Sequence, residues 1–137
     1  NRVIETYNKA LIFGIIILSS LGLTIYLTSE ISMRLFTTNN QVIYFGSTYL
    51  KISALMFPAF PFFFIGNATF QGLKKAIIVM YMAMIRFVIF PVIIISFIIY
   101  NIEENYSYIF YGLAIMHWCI AIFYYIFSQN QFKKILK

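Results

Sequence analysis

YLKISALMFPAFPFFFIGNATFQGLKKAIIVMYMAMIRFVIFP, residues 49–91, decides the fold. At its centre is the turn Gln71-Gly72-Leu73-Lys74-Lys75. Before the turn, residues 52–70 run for nineteen positions without a charge, and after it residues 76–100 run for twenty-five with only Arg86 charged. Either run is long enough to cross a hydrocarbon layer of about 30 Å. A polar turn between two such runs predicts a helical hairpin in a bilayer.

Outward from the hairpin, the pattern repeats. Residues 11–29 form a preceding apolar span and residues 106–127 a following one, so the expected spans are 11–29, 43–70, 76–100 and 106–127. Composition agrees: 62% of residues are hydrophobic and only 10% charged, against roughly 25% charged in soluble domains. The formal net charge of +6 raises nucleic acid as a partner. The basic residues sit at span ends, however, which is the pattern of membrane orientation rather than of phosphate recognition. With both ends cytoplasmic, the inner segments hold Arg2, Lys9, Lys74, Lys75, Lys133, Lys134 and Lys137, and the outer loops only Arg34. The chain starts at Asn1 without an initiator Met or a signal pattern, and residues 129–137 read as a basic cytoplasmic tail. The expectation is the C-terminal part of a longer protein.

Local signals refine the spans. Gly14, Ser19, Ser20 and Gly22 form a small-residue packing face on the first, since small residues let membrane helices approach closely. Thr37, Thr38, Asn39 and Asn40 predict a loop and a new helix starting near Asn39 or Asn40, because their side-chain oxygens accept free backbone N–H groups. That helix reads as amphipathic at first, with Val42, Phe45 and Tyr49 opposite Gln41, Ser47 and Lys51. Pro58 and Pro61 then interrupt it. Each removes a backbone donor, and in a membrane the freed carbonyls need other partners. A static kink and a broken helix lining a transport cavity both fit. Gly66, Asn67, Thr69 and Gln71 bring small and polar groups toward the turn.

Arg86 lies ten residues beyond Ala76, near mid-span, where a cation must face protein or water rather than lipid. It either ties helices together through backbone carbonyls or acts directly in transport. Pro91 follows and is expected to kink the same helix. His117, near the middle of the last span, reads as a neutral, hydrogen-bonded packing residue. It is also placed to accept a hydrogen bond from Arg86. Residues 101–105 form an acidic loop. Cys119 stands alone in an apolar run, so no disulfide framework is available. No spacing points to a catalytic set, a phosphate loop or a metal site, and an enzyme is not expected.

One ordered series goes further: Leu35-Phe36-Thr37-Thr38-Asn39 with Val42-Ile43, then Tyr49-Leu50 and Ile52, Pro58, Gln71-Gly72-Leu73 with Lys75, and Arg86 and Pro91. In this series the chain resembles the multidrug and toxic compound extrusion (MATE) transporters, over about residues 2–127, in the last four helices of their second lobe. The resemblance implies an all-α integral membrane fold, with four transmembrane helices forming part of a twelve-helix, two-lobe transporter. It implies cation-coupled antiport, driven by Na+ or H+, that exports organic xenobiotic compounds across the cell membrane by alternating access. Transport or gating candidates are Pro58, Pro61, Asn67, Gln71, Gly72, Arg86, Pro91 and His117. The implied partners are the lipid bilayer, the remaining N-terminal helices and a small organic substrate, with no cofactor beyond the coupling ion. The family's usual turn has a second glycine where Lys74 stands here. Some members carry a carboxylate in the helix corresponding to 52–70, which has none, so the coupling site is expected outside this segment. A lipid-linked saccharide flippase of the same superfamily and a structural four-helix subunit are the alternatives.

Overall fold

A computed structural model describes residues 2–101 and 107–135; the acidic loop expected at 101–105 falls largely outside the described residues, as do Asn1, Tyr106 and Lys137. The described residues are helical apart from short turns at 35–39, 55–56 and 73–75. Helix α1 is Arg2–Arg34, α2 is Asn40–Ala54, α3 is Phe60–Gly72, α4 is Ala76–Met84, α5 is Phe90–Asn101 and α6 is Ser107–Ile135. A 3-10 turn, Phe57–Ala59, joins α2 to α3, and one turn of π-helix, Ile85–Ile89, joins α4 to α5. Four stretches are long and apolar enough to cross a membrane: Arg2–Arg34, Asn40–Gly72, Ala76–Phe97 and Tyr108–Ile135.

Helix α1 is 33 residues long, about 50 Å at helical rise, and so outruns its apolar stretch at both ends. Exposed i,i+4 pairs mark the two extensions: Lys9 Nζ meets Glu5 at 2.8 Å and Arg34 Nη2 meets Glu30 at 2.7 Å. Helix α2 starts as its cap predicts. The Asn39 side-chain oxygen accepts from the amides of Gln41 (2.9 Å) and Val42 (3.4 Å).

The hairpin closes through a Schellman turn at the end of α3. The Lys75 amide donates to the Phe70 carbonyl at 2.8 Å, and the Lys74 amide to that of Gln71 at 2.9 Å. The left-handed residue in this turn is Lys74, with φ 57°, while Gly72 is helical and a Cβ there would meet nothing within 4 Å. The conformational demand of this turn therefore falls on Lys74, two residues beyond Gly72.

Helix α6 runs on to Ile135, so the tail expected from residue 129 is its last turns. Phe132 is fully buried there, with its ring 5.0 Å from that of Tyr7 and 4.9 Å from that of Phe70. Gln129 Nε2 donates to Asn8 Oδ1 at 2.6 Å. These contacts gather the start of α1, the α3–α4 turn and the end of α6 at one end of the molecule. The core continues inward through Leu11, Phe63, Phe70, Met116, Ile120 and Tyr124.

Packing faces follow small residues more than apolar ones. A Cβ on Gly14 would lie 3.0 Å from Pro61, and one on Gly22 would lie 2.7 Å from the Ala54 carbonyl oxygen. In α2 the buried residues include Ile43 and Ser47, whereas Val42, Phe45 and Tyr49 stay about half exposed. The apolar side of this first part of the helix is thus not its packed side. In a bilayer the outside is apolar too, so hydrophobicity does not mark the packed side.

Candidate functional site

The candidate site is the break between α2 and α3 together with the π-turn and the middle of α6. Pro58 lacks an N–H, which leaves the Ala54 carbonyl without its i+4 donor. That oxygen faces Gly22, whose missing Cβ makes the room. The amide of Ala59 turns to Met56 at 3.0 Å, which also frees the Leu55 carbonyl. Trp118 Nε1, from α6, donates to that carbonyl at 3.0 Å. A backbone carbonyl left unpaired away from water is costly in a bilayer, so the indole helps to hold the break open. Around it lies a groove of about 580 Å³ lined by Ser19, Gly22, Tyr26, Leu55, Pro58 and Trp118. The helix is broken here, beyond a simple kink. Pro61 restarts α3 in its first turn and is fully buried.

Arg86 sits in the π-turn and is only 9% exposed. Its guanidinium carbon lies 3.8 Å from the Phe63 ring centroid, 4.8 Å from that of Phe87 and 5.4 Å from that of Phe60. Ring faces take the place of the backbone carbonyls expected around this cation. Placing Arg at mid-membrane costs at least about 2.5 kcal/mol, and a desolvated cation–π contact returns about 2 kcal/mol. The three rings thus offset part of that cost. The π-turn belongs to the same arrangement. Pro91 has no N–H and its ring presses on the carbonyl four residues back, so the helix widens ahead of it and the Phe90 amide reaches the Ile85 carbonyl.

His117 packs against the same two rings, 4.9 Å from Phe60 and 5.1 Å from Phe63 by centroid. It is buried as expected. Among the described residues, no hydrogen bond joins it to Arg86, and its Nε2 has no partner. The two residues share rings instead. One layer on, Tyr124 stacks on Phe63 at 5.6 Å and donates its hydroxyl to Asn67 Oδ1 at 2.6 Å. Gly66 leaves the space that the Tyr124 ring fills.

Of the residues singled out from sequence, Arg86 and His117 come together around Phe60 and Phe63, with Asn67 reached through Tyr124. Pro58 and Pro61 frame the break, and Pro91 follows the π-turn. Gln71 and Gly72 stay apart, exposed at the hairpin turn. Sequence reading passed over Trp118, Phe60 and Phe63. The signal for Trp118 was its being the chain's one tryptophan, in mid-span, because a buried indole N–H needs an acceptor.

Spans interrupted where they pack, a freed carbonyl met by a side chain of another helix, and a cation enclosed by rings define a polytopic helical membrane protein. The MatE family model matches residues 1–98. The chain belongs to the MatE family of membrane transporters. The match covers α1 through most of α5, so α6 lies beyond it. No curated protein and no solved structure matches the chain.

Proposed function

We propose that this chain is the C-terminal part of the second lobe of a cation-coupled antiporter that exports organic compounds across the cell membrane by alternating access. The single observation that carries this reading is the facing pair of interruptions: the α2–α3 break and the π-turn meet at Phe60 and Phe63, under Arg86 and His117. Broken helices let part of a span tilt while the remainder stays packed. The gate in this reading is the lower half of that pair, α3 with its Tyr124–Asn67 bond, moving against the π-turn.

The coupling ion, Na+ or H+, acts elsewhere in the whole protein. A carboxylate is the usual coupling group inside a membrane, because it alternates between charged and neutral forms. Both described acids, Glu5 and Glu30, lie in exposed ion pairs. The saccharide-flippase alternative calls for a basic cavity suited to pyrophosphate. A guanidinium enclosed by ring faces lends it no support.

The test is efflux of a fluorescent organic cation from vesicles holding the full-length protein under a proton or sodium gradient. Changing Glu30, Glu103 and Glu104 together to Gln is expected to leave gradient-driven efflux largely intact. Loss of gradient dependence at unchanged protein level would move the coupling site into this segment. Absence of gradient-driven efflux in the unaltered protein, across several organic cations, would overturn the transport reading.

A further inference from the structure

A second concavity lies at the opposite end of α3 from the break. It is a groove of about 530 Å³ between the start of α4 and the last turns of α6, lined by Lys74, Lys75, Ile77, Ile78, Gln131 and Ile135 among others. Its two walls differ in chemistry. One is a rim of two adjacent exposed ammonium groups with the Gln131 amide opposite. The other is Ile77 and Ile78, which open the apolar span Ala76–Phe97, with Ile135 across from them at the end of α6.

Charge here is one-sided. Lys75 caps α4 without a side-chain hydrogen bond, so the positive end of the helix dipole opens toward the lysine rim. The described acid at this end of the molecule is Glu5, and it is already paired with Lys9 at 2.8 Å. Among the described residues, no acid lines the groove.

We propose that this groove binds the headgroup of an anionic glycerophospholipid, with the phosphate between Lys74, Lys75 and Gln131 and the start of an acyl chain along Ile77 and Ile78. A soluble anion would use the rim and leave the isoleucine wall idle. A zwitterionic lipid would use the wall but bring a cation to the lysines. The two walls together match a ligand that is anionic at its head and apolar immediately below it. The position, at the edge of an apolar span, is where such headgroups lie in a bilayer.

The full-length protein is reconstituted in phosphatidylcholine bilayers, and its relative association with spin-labelled phosphatidylglycerol and phosphatidylcholine is read by electron spin resonance. The unaltered protein is expected to prefer phosphatidylglycerol, with each groove lysine contributing about fivefold. Lys74→Gly with Lys75→Gln should bring the ratio close to one. The glycine suits the left-handed position, so this double variant keeps its turn. Ile78→Trp, which fills the groove and leaves the charge unchanged, should also abolish the preference. Lys133→Gln with Lys134→Gln removes as much charge beside the groove and should keep most of it. Equal losses from the two lysine pairs would reduce the effect to diffuse surface charge and overturn the proposal. Displacement of the labelled lipid by millimolar inorganic phosphate would also overturn it, by showing a plain anion site.

Discussion

Lys74 holds a backbone conformation that costs a non-glycine residue about 1 kcal/mol or somewhat more, while Gly72 occupies an ordinary helical position two residues earlier. Lys74→Gly is therefore expected to stabilise the protein by about 1 kcal/mol, and Gly72→Ala to be neutral or slightly stabilising. Denaturant titration in detergent checks both; a loss of more than 1 kcal/mol from Gly72→Ala would return the demand to that residue. Arg86 gives the second prediction at this scale. Its closest ring is Phe63, so Arg86→Gln and Phe63→Leu should be non-additive, with a coupling of about 1–2 kcal/mol in a double-mutant cycle. Additive losses would mean that the ring contact contributes nothing. That Arg86 must be shielded was legible in the sequence from its place in a long apolar run. That aromatic rings do the shielding was not, because Phe60 and Phe63 look the same as the other phenylalanines of their span until the helices cross.

At the scale of elements, the two interruptions are stabilised from outside their own helices. Pro58 announces a break in the sequence, since no residue can supply its missing N–H. Which groups then receive the freed carbonyls depends on neighbours far along the chain: Gly22 in α1 for Ala54, and Trp118 in α6 for Leu55. Trp118→Phe keeps an aromatic body and deletes the donor, so it should destabilise the protein by about 1–3 kcal/mol. It should also speed hydrogen exchange around residues 55–59. Unchanged stability and exchange would show that the break holds without the indole. Cap chemistry was the most legible part of any element. Asn39 starts α2 through its own side chain, and such a contact spans only two or three residues.

For the whole molecule, the fold brings Arg2, Lys9, Lys74, Lys75, Lys133 and Lys134 to one end, through the contacts of Tyr7, Phe70 and Phe132. The loop carrying Thr37 and Thr38 lies at the other end of the α2–α3 span. With the basic end cytoplasmic, single cysteines at Lys74→Cys and Thr38→Cys, in a Cys119→Ser background, should react with an impermeant thiol reagent from opposite sides. Reaction of both from one side would contradict the hairpin. The number of spans, their order and the one-ended charge needed only the sequence, because the bilayer imposes a length on each apolar run and excludes charge from its middle. The inward face of α1 was legible from Gly14 and Gly22, but that of α2 was decided by the tertiary structure alone. Lipid is as apolar as a protein core, so Val42 and Phe45 carry the pattern of a buried stripe yet stay exposed, and Ser47 and Gly66 mark the packed side only once another helix comes to lie against them.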